Sequence, residues 1–188
     1  MNDIEFLKNY FKQLQNLIGN EKYLNDLVKV KEILLKTHQN KKKTMIFGNG
    51  GSAAIASHFS VDVTKNARIR CVNFNESDLL TCFSNDFGYE KWVEKSIEFY
   101  SDPDDIVILI SAGGSSKNML NAAKFARKNK IKSIITFTGN NEDSELKKLG
   151  DINFHVKSAA YNHIENVHQI LLLSIVDLII GKSEYPPN

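Results

Sequence analysis

Two short segments carry the residue types that hold anions. Residues 48–53 read G-N-G-G-S-A and residues 111–116 read S-A-G-G-S-S. Each follows an apolar run, Thr44–Phe47 or Ile106–Ile110, and each precedes a segment of helical character. Glycines at such corners let backbone N–H groups approach a ligand, and the N-terminus of the following helix favours negative charge. Ser52, Ser111, Ser115 and Ser116 add hydroxyl donors. These serines could instead serve only as helix caps. Two such corners on one edge favour a shared anion.

The first corner also fits the dinucleotide fingerprint G-x-G-x-x-G/A. That reading wants an acidic residue closing the second strand. Glu76 is near the right distance, but it lies beyond Asn73-Phe74-Asn75, past the strand end. Several hydroxyls and no P-loop lysine suit a sugar monophosphate better than a nucleotide, so no nucleotide cofactor is expected.

The elements that must position these corners follow from periodicity. Ile4, Leu7, Phe11, Leu14 and Leu17-Ile18 predict a helix over 3–18, and a similar pattern predicts another over 21–39, with Gly19-Asn20 between them. Strands are predicted at Thr44–Phe47, Ile69–Phe74, Ile106–Ile110, Ser133–Phe137 and Ile152–Val156. Helices are predicted at Ser52–Thr64, Leu79–Phe83, Tyr89–Tyr100, Lys117–Asn129, Ser144–Leu149 and Tyr161–Ile180, with S-N-D-F-G as a turn after Phe83. Alternating strands and helices predict an α/β fold, a doubly wound parallel sheet flanked by helices, with an N-terminal helix pair. Parallel strands place both glycine–serine corners at the carboxyl edge, where ligands bind. No repeat or linker divides the chain. It reads as a single domain over 1–188: the helical pair 1–40, the α/β core and C-terminal helix 41–181, and a loose tail 182–188 ending near Pro186-Pro187.

The 188 residues suffice for one domain with a real core, and 42% hydrophobic with 24% charged residues reads as a soluble globular chain. A net charge of +2 gives no argument for nucleic acid. Cys71 and Cys82 form no disulfide or metal pattern, the N-terminus lacks a signal layout, and a cytoplasmic location is expected. The apolar stretch Ile170–Ile180 contains Ser174 and Asp177 and is too short to span a bilayer, so it reads as a buried helix with no membrane partner.

With these residues in hand, the chain resembles the sugar isomerase (SIS) domain family, and within it the phosphoheptose isomerases. The matching stretches are FGNGGSAAIASHF (47–59), CFSNDFGYEKWVEKSI (82–97), IVILISAGGSSKNMLNAAKFAR (106–127) and HIENVHQILLLSIVDLI (163–179). The resemblance implies interconversion of sedoheptulose 7-phosphate and glycero-manno-heptose 7-phosphate for bacterial surface heptose. It implies substrate contacts at Asn49, Gly50, Gly51 and Ser52, at Asn85 and Asp86, and in a phosphate loop formed by Ser111, Ala112, Gly113, Ser115 and Ser116. The family's loop reads S-T-S-G-N-S, so two hydroxyls are missing here and Ser115 is gained.

The resemblance also implies a metal, zinc or another divalent ion, on a histidine and an acid four residues later. His58 and Asp62 hold that relation, with aspartate where the family has glutamate. The family's C-terminal helix adds a glutamine and, eight residues on, a histidine. Here these positions are Glu165 and Leu173, with His163 and His168 on the same helix. The implied metal set is therefore His58, Asp62 and Glu165, and the implied proton-handling residues are Asp62 and Glu165. The family's usual arginine aligns with Asn66, beside Lys65 and Arg68. A phosphosugar substrate and a homotetramer with sites between subunits are expected. The alternative is a non-catalytic SIS protein that binds a sugar phosphate or a protein partner, as the replication-initiator-binding SIS protein does.

Overall fold

β-branched and aliphatic runs buried on both faces make the central strands. A computed structural model describes residues 2–185 of the chain. Its elements are helix α1 (Asp3–Ile18), a 3-10 turn at Glu21–Tyr23, α2 (Leu24–Gln39), strand β1 (Thr44–Phe47), α3 (Gly51–Lys65), β2 (Cys71–Val72), α4 (Ser77–Phe87), α5 (Trp92–Tyr100), β3 (Ile106–Ser111), α6 (Lys117–Lys128), β4 (Ser133–Gly139), α7 (Glu145–Leu149), β5 (Ile152–Val156) and α8 (Tyr161–Ile180). All strand pairs are parallel and the sheet order is β2-β1-β3-β4-β5.

This order reverses between β1 and β3. A crevice opens at such a switch point because the two following connections leave toward opposite faces. The two glycine–serine corners follow these two neighbouring strands. Alternation along β1 and β3 divides the core. Ile46, Ile106, Ile108 and Ile110 pack with residues of α2, α3 and α8, whereas Met45, Phe47, Val107 and Leu109 pack with residues of α5, α6 and α7. By length and composition α8 could cross a bilayer, but it is the core helix of the first face, burying Ile164, Val167, Leu171, Leu172, Ile175 and Val176.

Three local expectations are corrected. The strand expected over 69–74 forms ladder bonds only at Cys71–Val72. Its following asparagines turn to α3 instead: Asn73 donates to Ser60 Oγ at 2.6 Å and Asn75 to the Ala53 carbonyl at 2.9 Å. The S-N-D-F segment is not a turn but the last part of α4, which ends only at Gly88, where φ is +87°. The next helix begins at Trp92 rather than Tyr89. The expected tail falls partly outside the described residues, from 186 on. Within them, Tyr185 stands near the side chains of Asp177 and Asn66.

α1 opens with a reciprocal cap, in which Glu5 N–H donates to Asn2 Oδ1 and Asn2 N–H donates to Glu5 Oε2. None of its residues is buried, and Ile4, Leu7 and Phe11 are 61%, 46% and 61% exposed along one helical stripe.

Candidate functional site

The two corners enclose a cavity of about 200 Å³ lined by Asn49, Ser52, Ile110, Ser111, Ala112, Gly113, Ser115, Ser116, Tyr161 and Glu165. Gly50, at φ +53°, turns the chain from β1 into α3, a backbone conformation that L side chains rarely adopt. The second corner is stabilised by Gly114, at φ +67°, where an added Cβ would lie 2.4 Å from the Ser144 Cβ. Ser111 is buried and its hydroxyl lies 3.0 Å from that of Ser116, the residue preceding α6. These two hydroxyls satisfy one another and face the same cavity, ready to turn toward an anion at the start of that helix.

Glu165 closes the cavity from α8. Its carboxylate rests on Gly51, the first residue of α3, where an added Cβ would lie 2.4 Å from Oε2. Only glycine leaves this space, and the helix N-terminus favours the negative charge it receives. Tyr161, the first residue of α8, brings its hydroxyl to 3.4 Å from where a Cβ on Gly113 would stand. Tyr161 was not marked by the sequence reading. Its position at the N-terminal end of α8, at the carboxyl edge of the sheet, was the available signal.

A second chamber, about 490 Å³, adjoins through shared Asn49 and Ser116 and is lined also by Gly88, Tyr89, Glu90, Lys117 and Asn118. Asn85 and Asp86, expected at the sugar, line neither space. They are exposed on α4, and the Asn85 amide donates to Asp86 Oδ1 at 2.9 Å. Within one chain, residues 88–90, just after α4, line the chamber instead. A larger cavity, about 670 Å³, lies at the β2 edge among Val72, Phe74, Leu79, Phe83 and Tyr100. It is mainly apolar and lies away from both corners.

Comparison with known proteins identifies the set of loops. Residues 6–139 match the SIS domain family. The phosphoheptose isomerase of Buchnera aphidicola subsp. Schizaphis graminum is 32% identical over 177 residues, covering 91% of this chain and 90% of that one. The chain belongs to the phosphoheptose isomerase family. The structure of the phosphoheptose isomerase from Neisseria gonorrhoeae superposes with a TM-score of 0.86 at 25% identity, covering 96% of this chain and all of that one. That from Francisella tularensis gives 0.87 at 22% identity, a likeness of fold.

Within one chain, the expected metal set of this phosphoheptose isomerase family member comes together only in part. His58 Nε2 lies 3.4 Å from Asp62 Oδ2, and Gln169 Nε2 lies 3.3 Å from His58 Nδ1. Glu165 is not with them. His58 is seven residues beyond Gly51, which at the helical rise puts it about 10 Å further along α3 than the Glu165 carboxylate. Among the described residues no three His, Cys, Asp or Glu side chains stand close enough to hold one ion. One chain thus offers two donors, short of the three protein ligands of a catalytic zinc site. Gln169 was also unmarked by the sequence reading, although it lies one turn after Glu165 on the same face of α8.

His168 is a packing residue rather than a substitute ligand. It is fully buried, and its Nε2–H donates to the Thr138 carbonyl at 3.0 Å. Burial pushes its pKa down to about 4, so the ring is neutral at pH 7. His163 is buried too, its ring 4.2 Å from that of Tyr10.

Proposed function

We propose that the protein interconverts sedoheptulose 7-phosphate and the corresponding aldoheptose 7-phosphate. The observation that carries this reading is the 200 Å³ cavity in which two donor-rich corners face one carboxylate, Glu165. In this reading Ser111, Ser115 and Ser116, with the backbone N–H groups before α6, hold the phosphate. The sugar extends past Ser52 and Asn49. Glu165 takes a proton from C1 of the ketose and returns it to C2, while the proton of the O1 hydroxyl passes to O2 so that the carbonyl moves from C2 to C1. The enediolate oxygens meet the Ser52 hydroxyl, the Asn49 amide and the N-terminus of α3, where developing negative charge is stabilised. No step is routed through Asp62 or through a metal.

The exposed apolar stripe of α1 supports the homotetramer, with α1, α2 and α8 contributing the interface and the His58–Asp62 pair and Asn85–Asp86 completing sites of neighbouring subunits. Sedimentation at micromolar concentration checks this, and a stable monomer would remove both the tetramer and the shared sites. An intracellular location accords with a phosphorylated sugar substrate. The deciding experiment incubates purified protein with sedoheptulose 7-phosphate, with and without zinc, and follows the aldose by NMR. Leu173 and the separation of His58–Asp62 from Glu165 favour one alternative, a non-catalytic sugar-phosphate-binding protein. Binding without turnover under both conditions selects it.

A further inference from the structure

Asn49 lines both the serine cavity and the larger chamber beside it. Its carboxamide is gripped from two elements. Asn49 Nδ2 donates to Asn118 Oδ1 at 3.0 Å, Asn118 Nδ2 donates back to Asn49 Oδ1 at 2.8 Å, and the Tyr89 hydroxyl donates to the same Asn49 oxygen at 3.1 Å. The direction of this chain of bonds is set by the backbone. The Met119 N–H, which can only donate, is shared between the Ser116 carbonyl at 3.0 Å and Asn118 Oδ1 at 3.1 Å. The oxygen of Asn118 therefore accepts from both Met119 and Asn49, its NH₂ group donates to Asn49, and the oxygen of Asn49 is fixed between two donors. Asn118 is 2% exposed and cannot turn to water, whereas Tyr89 is 52% exposed at the mouth of the chamber. An amide has two N–H groups. Asn118 takes one of those on Asn49, and one is left.

We propose that Asn118 and Tyr89 are positioning residues that lock the Asn49 carboxamide so that its remaining N–H is presented to an oxygen of the phosphosugar. This rests on the reading that Asn49 contacts substrate. Without the lock, the amide could rotate and offer its oxygen to a substrate oxygen, which repels it.

The test is a double-mutant cycle on sedoheptulose 7-phosphate, with affinity from calorimetry and KM and kcat from the aldose appearing. Tyr89→Phe removes one oxygen and, on a half-exposed side chain, leaves the thermal midpoint in place. It should weaken binding and kcat/KM roughly two- to tenfold, the range of one neutral hydrogen bond. In an Asn49→Ala background the same change should have no effect, because Tyr89 acts only through Asn49. Asn118→Leu, of similar size without polar atoms, should likewise be silent once Asn49 is alanine. A Tyr89→Phe loss of equal size with and without Asn49 overturns the proposal, as does an unchanged kcat/KM in Tyr89→Phe. If Asn49→Ala alone changes neither binding nor turnover, the reading of Asn49 as a substrate contact fails and the lock fails with it.

Discussion

The serine cavity and the His58–Asp62 pair are both built on α3, yet only the first is assembled within one chain. Its parts sit immediately after β1 and β3, and the sheet places those strand ends side by side. Neither corner needs a particular side-chain rotamer to meet the other. The histidine–aspartate pair depends instead on how far along a helix each donor lies. His58 and Asp62, four residues apart, meet each other, while Glu165 is captured by Gly51 two turns earlier. Topology guarantees the first kind of site. The second requires that separate helices present matching levels, and here they do not.

The strongest way to break this contrast is to compare the two carboxylates. Glu165→Gln should reduce kcat by roughly 10²–10⁴-fold, the range for loss of a general base, with sugar-phosphate affinity retained. Asp62→Asn, and chelation of the wild type, probe the second region, which reaches a cavity only through a neighbouring subunit, and each should lower kcat less than Glu165→Gln does. If Asp62→Asn or chelation proves the more damaging, the chemistry belongs to the histidine–aspartate region, completed by another subunit.

Gly51→Ala sharpens the comparison from the backbone side. The new methyl meets the flexible end of Glu165, which can swing away, and alanine is a good residue in the first turn of a helix. The expected result is a loss of about 10²-fold in kcat from misplacing the carboxylate, with a thermal midpoint within a degree or two of wild type. Ser116→Ala comes next. It should weaken sugar-phosphate binding by roughly 1–3 kcal/mol in calorimetry, the effect of removing one donor from a charged partner. Unchanged affinity would move the phosphate out of this loop.

The last effect lies outside both regions, leaves turnover alone and concerns acid stability. His168 has a folded pKa of about 4, set first by burial and offset in part by its bond to Thr138, against an ordinary value of 6.5. Between those values the unfolded chain holds a proton that the folded chain refuses. Stability is full above pH 6.5, falls as the pH drops, and the loss is complete once the pH passes below about 4. His168→Gln, which keeps an N–H for the Thr138 carbonyl, should flatten urea midpoints over that window. An equally steep profile would assign the acid sensitivity elsewhere. His155 is one such group, its pKa lowered first by burial and then by Lys147 and Lys22.

The same contrast explains what could be read from residues alone. Thr44–Phe47 and Ile106–Ile110 are short, mainly apolar runs and Ile152–Val156 alternates apolar with polar residues, and the structure forms strands at all three with at most one residue of difference. The two corners were legible because glycine and serine at strand ends have few other uses. The span 69–74 misled because its alternation suits a strand, whereas an edge position with two asparagines lets α3 compete for the backbone's neighbours. The S-N-D-F segment misled because its polar residues, weak helix formers, cost little at the end of a helix that only Gly88 terminates. Helical spacing put His58 and Asp62 together correctly. It contained nothing about the level at which α8 crosses α3, so the placement of Glu165 required the packed structure.

The contact between Gly51 and Glu165 ties two positions that lie 114 residues apart in the chain. Each sets the size allowed to the other: the glycine is small because the carboxylate is there, and the carboxylate reaches the helix end because nothing grows from the glycine. Such a pair drifts through evolution as a unit. In close homologues a side chain at 51 should occur only where the residue at 165 is shorter or turned away from the helix end, and that combination would mark lineages that keep the fold after giving up the reaction.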